Sequence, residues 1–77
     1  MELRKVFAKN LKRLRKLAAL SQEELAFRAA LDRTYISALE RGLYSVSIVT
    51  IERLAKALDV EPAEFLLRAS QEIIQRR

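Results

Sequence analysis

Glycine and proline occur once each in these 77 residues, at Gly42 and Pro62. So few backbone breakers leave no material for the many tight turns of a sheet protein, and the sequence predicts an all-α chain. Its length admits a single domain, residues 1–77, with little core to spare. Cys and His are both absent. Disulfides, zinc sites and Ser-His or Cys-His catalytic pairs are therefore out, and neither a metal nor a cofactor is expected. The acid pairs Glu23-Glu24 and Glu61/Glu64 stand at expected helix starts, which suits the helix dipole better than catalysis. The chain is not expected to be an enzyme. No apolar run reaches membrane length, and the start Met1-Glu2-Leu3-Arg4-Lys5 does not read as a signal peptide. A cytoplasmic protein without a membrane partner is the expectation.

Periodicity divides the chain into five helices. Leu3, Phe7, Leu11, Leu14 and Ala18 recur at helical steps and predict a first helix from about residue 3 to 18 with one apolar face. Lys5, Lys9, Lys12 and Lys16 form a second stripe on the opposite face. That stripe reads either as solvated surface or as part of a field that attracts nucleic acid. Ser21 followed by Glu24 is a capping box for a short second helix ending near Ala29, with Leu20 as its staple. Asp32 is placed to cap a third helix, Arg33 to Arg41, through its side chain, and Gly42 to end it. Ser47 caps a fourth helix over about 48–58. Pro62 opens a fifth, carrying Phe65, Leu66, Leu67, Ile73 and Ile74 and running to about residue 75.

The second and third helices are joined by only Ala30, Leu31 and Asp32. Two short helices so tightly linked form the unit that places one helix in the major groove of DNA. Groove reading needs polar side chains near the helix start and a face without bulk, because base edges present donors and acceptors there. Arg33, Thr34, Ser37 and Ala38 supply such a face. Arg33 has the fork for guanine, and the methyls of Thr34 and Ala38 suit thymine. The formal charge of +5, with Arg4, Lys5, Lys9, Lys12, Arg13, Arg15 and Lys16 set against Glu2 in the first 17 residues, agrees with a polyanionic partner. Double-stranded DNA is the partner these features imply, and no small-molecule effector is inferred.

Residues 7–66 resemble the lambda-repressor-like, or xenobiotic-response-element, helix-turn-helix family. The stretches that carry the likeness are Leu11-Lys12-Arg13-Leu14-Arg15, Leu20 to Ala26, Tyr35 to Gly42 and Leu54 to Val60. The run Leu31 to Ser37 is similar to that of restriction-modification controller proteins, small homodimers that regulate their own gene and that of the endonuclease. Phage-type repressors and some antitoxins share much of it, so a chain whose main partner is another protein is the alternative. The resemblance implies that Gln22 bonds a phosphate and braces the next helix. It implies that Tyr35, Arg41, Tyr44 and Ser45 hold the sugar-phosphate backbone, and that Arg15 pairs with Glu40. Ala19 and Ala30 stand where the family often has Gly, so left-handed backbone there would be strained.

Ala63, Leu67 and Ile74 make one stripe on the fifth helix, and Leu66, Ser70 and Ile73 another. Two stripes exceed what one small core covers, and the fourth and fifth helices are expected to form a homodimer contact through Ala63, Leu66, Leu67, Ile73 and Ile74. Such a dimer presents two recognition helices to a pseudo-palindromic operator. The expected product is a nucleoid-associated transcription regulator, activator or repressor according to where its site lies.

Overall fold

Leu11 and Leu14 are buried along one side of the first helix, with Phe7 a turn earlier, and the rest of the chain packs around that side. The computed structural model describes residues 2–68. It contains α1 (Glu2–Leu17), α2 (Gln22–Ala29), α3 (Arg33–Glu40), α4 (Ile48–Leu58) and a 3-10 helix, Pro62–Leu66. The core joins Phe7, Leu11 and Leu14 to Leu25, Ile36, Leu39, Leu54 and Phe65, so every element contributes. Leu3 and Ala18, expected on the inner stripe of α1, are exposed: Leu3 lines an open groove with Phe7, Tyr44 and Leu66, and Ala18 lies in the turn after the helix. Among the described residues no helix is long and apolar enough to cross a membrane.

The four α-helices among the described residues close in the same way. After each, a residue at positive φ turns the chain, and the next residue's N–H returns to a carbonyl five positions back. These bonds are Leu20 to Arg15 (3.2 Å), Leu31 to Ala26 (2.8 Å), Leu43 to Ala38 (3.1 Å) and Val60 to Ala55 (3.0 Å). That is the Schellman ending, with its usual apolar residue just beyond the turn. Gly42 takes the left-handed position after α3 at φ +73° without cost. Ala19 (φ 60°), Ala30 (φ 58°) and Asp59 (φ 56°) take it after α1, α2 and α4. Asp59 was not distinguishable in the sequence from an ordinary turn residue.

Ser21 and Glu24 form the full capping box, Glu24 N–H to Ser21 Oγ at 3.0 Å and Ser21 N–H to Glu24 Oε1 at 2.9 Å. Ser47 caps α4 through the Thr50 N–H at 3.1 Å. Asp32 departs from expectation. It occupies the N-cap of α3 with extended backbone, but its side chain makes no cap hydrogen bond and accepts one from the Thr34 hydroxyl instead.

The end of the described chain also corrects the sequence reading. In place of a long fifth helix, the structure has five residues of 3-10 helix followed by Leu67 in extended conformation, at φ −77° and ψ 133°. The cause lies in α1. Asn10 is buried, and its Nδ2 donates to the carbonyls of Phe65 at 2.9 Å and Leu67 at 2.7 Å. Carbonyls that a continuing α-helix would bond to its own backbone are held by a side chain from the far end of the chain. The Phe7 and Phe65 rings pack 5.4 Å apart and fix the same junction. Ile73 and Ile74 lie outside the described residues.

Candidate nucleic-acid interface

α3 lies against α2 on one side and α1 on the other. Ile36 and Leu39 anchor it to the core, while Arg33 and Thr34 are exposed and Ser37 is half-buried. Arg41 follows immediately, exposed, its Nε donating to the Ser37 carbonyl at 3.3 Å. At about 100° per residue these four occupy an arc of about 100° on one side of the helix. The result is an open flank with cations at both ends and hydroxyls between them.

Ala38 does not belong to that flank. It was expected among the base-facing residues, but only 6% of it is exposed. It stands about 40° past the edge of the open arc, where a helix packed against two neighbours is already covered. Its small side chain serves close packing instead.

Behind the flank, polar side chains form a connected brace. Arg15 donates Nε to Glu40 Oε2 at 2.6 Å and Nη2 to Glu40 Oε1 at 3.0 Å, with a third bond from Nη1 to the Leu20 carbonyl at 2.8 Å. The hydrogen bond to Glu40 holds the Arg15 guanidinium charged, raising its pKa further, against a smaller opposing effect of burial. Gln22 Nε2 donates to Glu40 Oε1 at 3.1 Å, and its Oε1 accepts from Arg33 Nη1 at 3.5 Å. Gln22 therefore links the buried pair to the outermost arginine of the flank. An amide nitrogen carries two donors, so one of them remains for a phosphate.

Tyr35 is half-buried, and its ring lies 6.4 Å from that of Tyr44, which is exposed in the following loop together with Ser45. Arg4 reaches the same loop, Nη1 to the Leu43 carbonyl at 3.5 Å. The loop after α3 is thus placed by one ring contact and one cation from α1. Neither the Arg4 tether nor the Asn10 clamp carries a local sequence signal, since both join residues far apart in the chain. Among the described residues no cluster of His, Cys, Asp or Glu could hold a metal ion.

The helix-turn-helix family pattern matches residues 11–65, which span the helix pair, its brace and its loop. The chain belongs to that family. Among its helix-turn-helix relatives, the control protein C.BamHI of Bacillus amyloliquefaciens is 43% identical over 65 residues, covering 83% of this chain and 80% of its own. The restriction-modification controller protein C.AhdI of Aeromonas hydrophila superposes with a TM-score of 0.81 at 46% identity, over 84% of this chain and 98% of that one. The controller protein C.Esp1396I, solved as a tetramer on its natural 35 base-pair operator, superposes with a TM-score of 0.80 at 31% identity, over 97% and 93% of the two chains.

Proposed function

We propose that this chain is a sequence-specific DNA-binding transcriptional regulator of the restriction-modification controller type. The observation that carries the reading is the open flank of α3, where Arg33, Thr34 and Arg41 are exposed beside half-buried Ser37 while the opposite side of the helix is locked into the core. A helix held this rigidly brings its side chains to base edges with little ordering left to do. Arg33 reads guanine, Thr34 and Ser37 contact base edges, and Gln22, Tyr35, Arg41, Tyr44 and Ser45 hold the backbone on either side. Occupancy is the whole mechanism, because a bound protein blocks or recruits polymerase according to the position of its site. The operator-bound tetramer of C.Esp1396I and the control-protein relatives support this reading.

The reading includes a homodimer. Ile48 is 78% exposed and Val49 60% exposed at the start of α4, an apolar step the sequence pattern had not singled out. Val49 and Pro62 border a groove whose other walls are the charged Glu52, Arg53 and Lys56, next to exposed Ala63 and close in sequence to Leu66 and Leu67. Apolar side chains left open on a domain this small favour a partner surface. Phe27, exposed by itself on α2, is an ordinary isolated surface aromatic and supports no second reading.

The test is selection of bound sequences from a random duplex pool. A pseudo-palindrome with half-sites about one helical turn apart is expected. Recovery of no enriched sequence would overturn the proposal.

A further inference from the structure

Beside the recognition flank runs a groove of about 790 Å³ between α1 and the end of α3. Its walls carry Lys5, Lys9, Lys12, Arg13, Lys16 and Arg41, and its one acid is Glu40. The Glu40 charge is already matched by the Arg15 guanidinium. The four lysines are exposed, and among the described residues no carboxylate pairs with them. Every charge facing this groove that lacks a partner is therefore positive wherever a lysine lines it. Solvation alone accounts for exposed lysines, but not for their alignment in a concave strip that joins the α3 flank at Arg41.

We infer that this groove is a second phosphate-binding surface, which takes the sugar-phosphate backbone of the same duplex just outside the half-site read by α3. The inference rests on the DNA-binding reading and extends it. Three observations point to a duplex strand. The charges lie on a straight helix, so Lys5 to Lys16 form a line about 16 Å long, matching the rise of about five base pairs. The line is lysine, a point charge that neutralises phosphate without reading bases, rather than an assortment of hydrogen-bonding side chains. The groove is continuous with the recognition flank, because Arg41 belongs to both. That continuity favours the same duplex over a separate acidic protein.

The experiment compares wild type with the variant K5Q/K9Q/K12Q/K16Q on two duplexes. One ends at the edges of the selected palindrome, and the other extends a full helical turn beyond it on each side. Equal thermal melts of the two proteins establish that the exposed substitutions leave the fold intact. Wild type is expected to bind the longer duplex more tightly, and the variant to lose that advantage. Its salt dependence on the longer duplex should be shallower by about 3 to 4 in log–log slope for each protomer, about 7 for the dimer, from about 0.9 per lost phosphate contact. Base preference should be unchanged. Equal losses on both duplexes would mean that the lysines act only as a diffuse field, and would overturn the groove contact. So would an unaltered variant, which would leave the strip to another partner. If Arg33→Ala also leaves base preference unchanged, or wild type prefers no sequence, the DNA-reading proposal fails and this one falls with it. If Arg33→Ala loses preference while the lysine variant behaves as wild type, only the groove inference fails.

Discussion

Arg15 on α1 and Glu40 at the end of α3 meet through two parallel hydrogen bonds, 2.6 and 3.0 Å, with side chains only 10% and 3% exposed. This pair fixes the end of the recognition helix to the long helix behind it. Removing one partner strands the other charge in a nearly dry site, at a cost of about 3–5 kcal/mol, a large share of a small domain's stability. Glu40→Ala is therefore expected to unfold the protein at room temperature, as read by circular dichroism. A soluble variant with a wild-type melt would show that the pair contributes little.

The left-handed alanines are a second weak point. Ala30 holds φ 58° and Ala19 φ 60°, a conformation that costs an L-residue about 1 kcal/mol and glycine almost nothing. Part of that gain is offset by the greater unfolded-state freedom of glycine. Ala30→Gly should still raise Tm by about 2–5 °C. An unchanged or lowered Tm would count against strain at this turn.

Arg33 and Ala38 sit on the same helix with opposite exposure and should separate specificity from stability. Arg33→Ala is expected to keep the melt and cost about 1–3 kcal/mol of discrimination at one base position. Ala38→Leu should act in reverse, losing about 1–3 kcal/mol of stability through overpacking before any change in preference. Operator titrations against scrambled duplex, run beside thermal melts, check both. An Ala38→Leu variant with native stability and altered base choice would return Ala38 to the reading surface.

Asn10 is the clamp on the end of the described chain. Asn10→Ala leaves the Phe65 carbonyl buried without its donor, and should cost about 1–3 kcal/mol. Denaturant titration measures the loss. A midpoint equal to wild type would mean that solvent replaces the clamp at no cost.

Glu24 supplies a pH dependence. The Ser21 backbone N–H, and then the Ser21 hydroxyl, hold its carboxyl below the ordinary 4.5. A carboxyl depressed in the folded state contributes stability that is complete above its unfolded pKa and fades as pH falls through the folded value. The stability gap between wild type and Glu24→Gln should therefore hold above the ordinary 4.5 and narrow as the pH falls below it. A gap that stays constant through that fall would remove the capping box as its source.

The sequence alone determined the features that depend on neighbours in the chain. Apolar residues at three- and four-residue steps specify a helix and its inner face, so α4 appears over 48–58 as read. Ser21 with Glu24 announces a start, and Gly42 an end, because a cap is made within one turn. The short link at residues 30–32 likewise forces α2 and α3 together. What only the tertiary structure decided depends on partners distant in sequence. Whether Ala38 faces DNA or the core follows from two helices packing around α3, which its own period does not encode. The end of the 3-10 helix at Leu66 follows from Asn10, 55 and 57 positions away from the carbonyls it captures. Gathering Lys5, Lys9, Lys12 and Lys16 with Arg41 in one groove likewise required α1 to lie beside the end of α3. Local hydrogen bonds and helical periodicity are short-range and can be read along a chain. Burial and charge clustering are properties of surfaces that exist only after the elements have packed.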